Sequence, residues 1–149
     1  MPTFTRTNSE HPDFVTLVRL LDADLAIKNG EKNSFFAQYN KIALIQHVIL
    51  AHEDGDAVAC GAIKEYEPGI MEVKRMFTQP ETRGKGIASQ VLTQLEAWAK
   101  ELGYTKCILE TGKHMHDAVH LYQKNGYTVI PNYGQYAGVD TSVCFEKTI

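Results

Sequence analysis

The segment "FTQPETRGKGIASQVL", Phe77–Leu92, places two glycines, an arginine and a lysine between a strand-like run and a helix-like run. Glycine beside basic residues just ahead of a helix is a pattern for holding an anion on backbone N–H groups, with the positive end of the helix dipole behind them. Three kinds of phosphate loop can be compared with it by spacing. A Walker A loop requires G-x-x-x-x-G-K-S/T, which Gly84-Lys85-Gly86-Ile87 does not supply. A dinucleotide fingerprint requires G-x-G-x-x-G; Gly84 and Gly86 fit, but Ser89 stands where the third glycine belongs. Glu110, at the end of the next strand, is placed like a ribose-binding acid. Against that reading, the residues "TQPETR" separate strand from glycine, and the strand reads as antiparallel. The remaining pattern is R-x-x-G-x-A, Arg83 to Ala88. Small residues at 84, 86 and 88 admit a close approach to successive N–H groups, which suits a pyrophosphate without Mg²⁺. On these six residues alone, a glycine-bearing turn with a solvated basic edge competes with it.

The flanking sequence reads as a mixed domain. Upstream, "LIQHVILAHEDGDAVACGAIKEYEPGIMEVKRMF" contains three β-rich runs broken at Asp54-Gly55 and Pro68-Gly69, the signals of a three-stranded antiparallel meander. Downstream, Ile87, Val91, Leu92, Leu95, Trp98, Ala99 and Leu102 form one helical stripe, closed by Gly103. "KCILET" is a short buried strand and "HDAVHLYQKN" a helix closed by Asn125-Gly126. "YTVI" and "TSVCFEKT" are strands around the loop "PNYGQYAG". Nearer the N-terminus, "TFTRT" opens a strand. Pro12 starts a helix that Asn29-Gly30 ends, and Ser34 caps a short helix in "SFFAQYNKI". The order β-α-α-β-β-β-α-β-α-β-β is α+β.

At 149 residues the chain is expected to form one domain over residues 1–149, able to bury its own core. Hydrophobic residues at 44% and charged residues at 22% are ordinary for a globular protein. A net charge of −3 gives no global basic field of the sort nucleic-acid binders carry, so Lys74, Arg75, Arg83 and Lys85 would act locally. Cys60, Cys107 and Cys144 each sit in an apolar, strand-like run and read as reduced core thiols. With no apolar signal core and no membrane-length run, no membrane or nucleic-acid partner is expected and a cytoplasmic location is.

Taken together, the loop and its neighbours resemble the GNAT N-acetyltransferase superfamily, whose signature Q/R-x-x-G-x-G/A lies between a strand and a helix. "HDAVHLYQKNGY" is similar to that family's A-x-x-L-Y-x-K-x-G-F/Y segment. The resemblance is strong from Val48 to Tyr127 and weak before Asn40 and after Pro131. It implies an acyl-CoA N-acyltransferase fold, a mixed α/β sandwich with a mostly antiparallel sheet of about seven strands flanked by about four helices. It also implies acetyl-CoA as donor, an amine as acceptor, no metal, and leaves room for a homodimer.

Residue by residue, the resemblance implies that Gly84, Lys85, Gly86, Ile87 and Ala88, with Arg83 beside them, hold the pyrophosphate. Met76 and Thr78 would present backbone groups to the thioester carbonyl and pantetheine, the former acting as an oxyanion hole. Tyr122 would protonate the departing thiolate, whose ordinary pKa near ~8.5 makes a nearby O–H useful. A core tyrosine is the competing reading. Glu72 stands where the histone-acetylating branch keeps its general base. Strand alternation also puts it on one face with Ile70, Lys74 and Met76. A solvated glutamate paired with Lys74 competes with that role. Phe35, Phe36, Tyr133 and Tyr136 are expected to line the acceptor end. The chain departs from the family at Met115, where relatives often place Asn. His116 and His120 have helical metal-ligand spacing but no evident third ligand, and a solvated helix start explains them. A small amine, an amino acid or polyamine, is the expected acceptor. A protein lysine or N-terminus, or a sensor that binds acyl-CoA without turnover, are the alternatives.

Overall fold

The strands and helices follow from where apolar spacing changes period and where turn residues interrupt it. The computed structural model describes residues 1–30 and 44–149. In chain order these form β1 (Thr3–Thr7), α1 (Pro12–Asn29), β2 (His47–Glu53), β3 (Asp56–Glu67), β4 (Ile70–Thr78) and α2 (Ile87–Glu101). Then come β5 (Lys106–Gly112), α3 (His116–Lys124), β6 (Thr128–Ile130) and β7 (Ser142–Thr148). The short helix expected at "SFFAQYNKI" lies outside the described residues.

One seven-stranded sheet runs in the order β1-β2-β3-β4-β5-β7-β6. Asp54 and Gly55, with φ of 54° and 85°, join β2 to β3 in the left-handed conformation that a two-residue hairpin turn demands. β2 pairs antiparallel with both β1 and β3. β5 and β6 each pair antiparallel with β7. β4 differs: it pairs parallel with β5, Glu72 opposite Ile108. The strand ahead of the glycine loop therefore lies between β3, to which a two-residue turn joins it as the sequence leads one to expect, and a parallel neighbour that the antiparallel reading did not include. A helical crossover between β4 and β5 makes parallel pairing possible, and a strand's own residues do not reveal which neighbour it will take.

The chain divides into two compact units. The first comprises residues 1–64 and 74–95. Its core lies where α1 sets Phe14, Leu17, Val18 and Leu21 against Val48, Leu50, Cys60, Ala62 and Phe77. Each such side chain contributes on the order of 1.5–3 kcal/mol when removed from water. His11 caps α1 by accepting the Asp13 N–H at Nδ1, Pro12 follows it, and Gly30 ends the helix. Gly61 matters for close approach: a Cβ there would stand 2.5 Å from Met76 Sδ, 2.8 Å from Leu95 Cδ1 and 2.9 Å from Val91 Cγ1.

Arg75 corrects two expectations. Its φ of 59° places a non-glycine residue in the left-handed region in the middle of β4, a conformation that costs about 1–3 kcal/mol. Such a residue disrupts the two-residue alternation of a strand. Parity counted from Glu72 therefore no longer places Met76 on the same face. Arg75 is also no part of a basic surface. Its guanidinium is 3% exposed and Nη1 donates to Asp22 Oδ1 of α1 at 2.7 Å.

The second unit comprises residues 65–73 and 96–149. Cys107, Leu109, Cys144 and Phe145 are fully buried within it. Glu96 of α2 is a junction: Oε2 accepts from Tyr127 Oη at 2.9 Å and Oε1 from Lys147 Nζ at 2.8 Å. This ties helix α2, the end of α3 and strand β7 by charge-assisted bonds. No helix among the described residues is long and apolar enough to cross a membrane.

Replacing Gly61 by alanine tests the close approach. Urea denaturation of Gly61→Ala is expected to show a loss of about 1–3 kcal/mol, because Val91 and Leu95 cannot both withdraw from the added methyl.

Candidate active site

In the first unit, the glycine loop is fixed at its root and open at its crown. Gln79 N donates to Val58 O at 2.8 Å and its Nε2 to Ala57 O at 3.2 Å, pinning the exit of β4 to β3. Pro80–Thr82 makes a single 3₁₀ turn, and Thr82 Oγ1 returns a bond to Gln79 O. Gly84 and Gly86 then take φ of 82° and 78°, and a Cβ built on either meets no atom within 4 Å. Glycine is needed here for the left-handed backbone, and the space above it is clear. Gly86 O accepts from Gln90 N as α2 begins. The first-turn N–H groups have no carbonyl within the helix to bond, and they lie at the positive end of the helix dipole.

The charged residues of the loop are exposed and held differently. Arg83 Nε donates to Thr78 O at 2.9 Å, and its guanidinium carbon lies 5.9 Å from the Phe77 ring centroid. Lys85 Nζ reaches Glu53 Oε1 at 3.4 Å. Ile87 is buried, so only its backbone can face a ligand, while Ala88 is half-buried. A pyrophosphate fits this cradle: clear space over two glycines, a helix start and cationic rims. Met76 and Thr78 are half-buried on the strand leading into it.

In the second unit, Glu72 is 8% exposed, and its Oε2 accepts from Tyr133 Oη at 2.6 Å. Tyr133 comes from the loop between β6 and β7. Asn132 braces that loop by donating from Nδ2 to Val139 O and Ser142 O. Tyr66 and Tyr136 meet the Tyr133 ring edge-on at centroid distances of 5.1 and 5.8 Å. Burial, followed by the neighbouring Glu72 carboxylate, pushes the Tyr133 hydroxyl far above the usual tyrosine range. Tyr136 is only 3% exposed and so packs rather than presents its ring. Beside it, Ser142 Oγ donates to Glu110 Oε2 at 2.6 Å. Glu110, considered from sequence only as a ribose ligand, is thus held by β7.

Tyr122 lies on the packed side of α3 at 6% exposure, near Tyr127 and Phe145 at 5.8 and 6.1 Å between centroids. Burial first, then Glu110, raises its hydroxyl well above the usual range. It is therefore protonated at any working pH, as a proton donor must be.

The structure thus brings Glu72, Tyr133 and Tyr136 into one cluster and places Tyr122 in the same unit. Met76, Thr78 and Arg83–Ala88 belong to the other. Phe35 and Phe36 lie outside the described residues. At the departure noted for Met115, Sδ accepts from Thr111 Oγ1 at 3.8 Å. His116 and His120 are exposed, and among the described residues no group of three His, Cys, Asp or Glu could hold a metal ion. Two contacts escaped the sequence reading: Tyr133 with Glu72 and Ser142 with Glu110. The only signal was the density of tyrosine in "PNYGQYAG", which does not name a partner.

A parallel β4–β5 pair is bridged by a helix with a glycine loop at its start. Residues 16–127 match the model of the Acetyltransferase (GNAT) family. An IAA acetyltransferase of Azospirillum brasilense is 36% identical over 102 residues, 68% of this chain and 67% of that one. The uncharacterized N-acetyltransferase YjgM of Escherichia coli is 28% identical over 131 residues, 81% and 78% of the two chains. A Klebsiella pneumoniae protein whose crystal structure carries the name acyl-CoA N-acyltransferase superposes with a TM-score of 0.82 at 31% identity. That superposition covers 99% of this chain and 97% of the other. The chain belongs to the GNAT acetyltransferase family. It is an N-acetyltransferase, with acetyl-CoA as the acetyl donor.

The tyrosine environments predict a titration. Tyrosinate absorbance of the folded protein is expected to rise through about pH 11 without Tyr122, Tyr127, Tyr133 or Tyr136. Each of these hydroxyls is raised by burial before any other cause. Spectra of Tyr122→Phe and Tyr133→Phe should therefore overlay the unsubstituted protein's up to that pH.

Proposed function

We propose that the enzyme moves an acetyl group from acetyl-CoA to a primary amine of a small molecule, an amino acid or polyamine, by direct transfer in a ternary complex. The observation that carries the small-acceptor reading is the Tyr133–Glu72 bond. A peptide acceptor would need the "PNYGQYAG" loop to stand clear of the base. Instead, that loop delivers a ring onto the carboxylate.

The roles follow from the chemistry. The N–H groups of Gly84 to Ala88 bind the pyrophosphate, with Arg83 and Lys85 supplying charge, and Thr78 backbone lies along the pantetheine. Met76 N–H donates to the thioester oxygen as negative charge develops there. Glu72 takes a proton from the acceptor ammonium, directly or through water. A free amine is a minor species near neutral pH, since its ordinary pKa is about 10. The amine nitrogen then bonds to the acetyl carbon while the carbon–sulfur bond breaks, and Tyr122 gives its proton to the departing sulfur. Tyr133 lines the acceptor end.

The test is CoA-thiol release with a panel of amino acids, polyamines and lysine peptides. Glu72→Gln and Tyr122→Phe should each lower kcat by roughly a hundredfold or more with the best small amine. Turnover confined to peptides would overturn the small-acceptor reading, and an unchanged kcat in either variant would remove that residue's role. Separately, Gly86→Glu sets a carboxylate and a strained backbone in the cradle. Calorimetry should show acetyl-CoA binding weakened by at least about tenfold, as electrostatic repulsion at a helix start requires.

A further inference from the structure

The loop that carries Tyr133 is built with more care than a ring lining an acceptor pocket requires. Asn132 ties its two ends together through Val139 O and Ser142 O. The backbone of Gly134 takes φ of 52°, and a Cβ there would stand 3.3 Å from Tyr66 Oη, so the chain passes close against Tyr66. Tyr66 and Tyr136 then hold the Tyr133 ring from two sides, each nearly perpendicular to it at 76° and 88°. The result is a phenol whose hydroxyl has one address, Glu72 Oε2 at 2.6 Å.

We propose that Tyr133 is a positioning residue for the acetyl transfer: its hydroxyl fixes the rotamer of Glu72 and holds in place the carboxylate that receives the amine proton. This inference rests on the reading of Glu72 as general base. A short O–H···O⁻ bond favours the charged form of the acceptor and restricts it to one orientation. A base on a flexible side chain loses efficiency when its oxygen drifts from the proton it must take. The hydroxyl is kept protonated by its burial and by Glu72 itself, so it donates throughout the working range. Among the described residues, Tyr136 of the same loop and Cys144 of β7 also feel this carboxylate, and both feel Glu110 of β5. Of these, Glu110 is engaged by Ser142.

The experiment compares Tyr133→Phe, Glu72→Gln, their double variant and a protein with 3-fluorotyrosine at position 133. Each is assayed by CoA release across pH on the best amine of the panel. Tyr133→Phe keeps the ring and its edge contacts, so melting temperature and acetyl-CoA affinity should stay near those of the unsubstituted protein. Its kcat should fall at least about tenfold, the cost of losing a hydrogen bond to a charged group. Its KM for the amine should stay near that of the unsubstituted protein, since the ring remains and only the bond to the base is lost. The fluorinated phenol, a stronger donor of the same shape, should keep kcat. The double variant should be no slower than Glu72→Gln alone, because the two act as one unit. If Glu72→Gln lowers kcat while Tyr133→Phe leaves it in place, the positioning role is wrong and the base stands. If Glu72→Gln itself leaves kcat in place, the base reading fails and this inference falls with it.

Discussion

The left-handed residue in the middle of β4 is the constraint around which the rest is arranged. β4 carries Glu72, Met76 and Thr78, and it runs directly into the glycine cradle. A strand that kept its alternation would commit each of these residues by parity alone. Arg75 interrupts it with a conformation that a long side chain adopts only at a cost of about 1–3 kcal/mol. The compensation comes from outside the strand. Asp22 of α1 takes the guanidinium at 2.7 Å, a charge-assisted bond worth about 1.5–3 kcal/mol. Cys60 Sγ also donates to the Arg75 carbonyl at 3.3 Å. Helix α1 is therefore a support for the backbone of the strand that carries Glu72, Met76 and Thr78, as well as a cover for the core.

The same device, a buried tyrosine donating to a glutamate, occurs twice in the second unit and serves different ends. Tyr127 donates to Glu96, whose other oxygen holds Lys147, and the three together fasten α2 to β7. Tyr133 donates to Glu72 on the strand that leads to the donor cradle. The two carboxylates differ in where they sit, Glu96 on a helix and Glu72 on a strand. A hydrogen-bonding pattern alone would not distinguish them.

Much of the fold was legible because local chemistry determines it. Asp54-Gly55 sets the hairpin, Gly30 ends α1, and the stripe from Ile87 to Ala99 marks α2 to within a residue or so. The glycine turn at 84 and 86 was legible for the same reason, since both positions take a left-handed backbone. Three features were not. The left-handed Arg75 leaves no trace in residue type, because arginine is an ordinary strand residue and its partner Asp22 lies on another element. The parallel pairing of β4 with β5 depends on a crossover that neither strand encodes alone. Tyr133 and Glu72 are 61 positions apart, and no periodicity links them. The Tyr133–Glu72 contact is thus a tertiary property laid over locally determined elements.

The three cysteines acquire a practical meaning from their burial. Burial pushes Cys60 up to about 12 and Cys107 up to about 11, and it raises Cys144 as well. Thiolate, not thiol, attacks disulfides and alkylating agents, so the folded protein is a poor nucleophile toward both. A reagent that colours on meeting a thiol will see the CoA that the enzyme releases and almost nothing of the enzyme itself. Loss of the fold would announce itself in the same cuvette as three new equivalents of reactive sulfur.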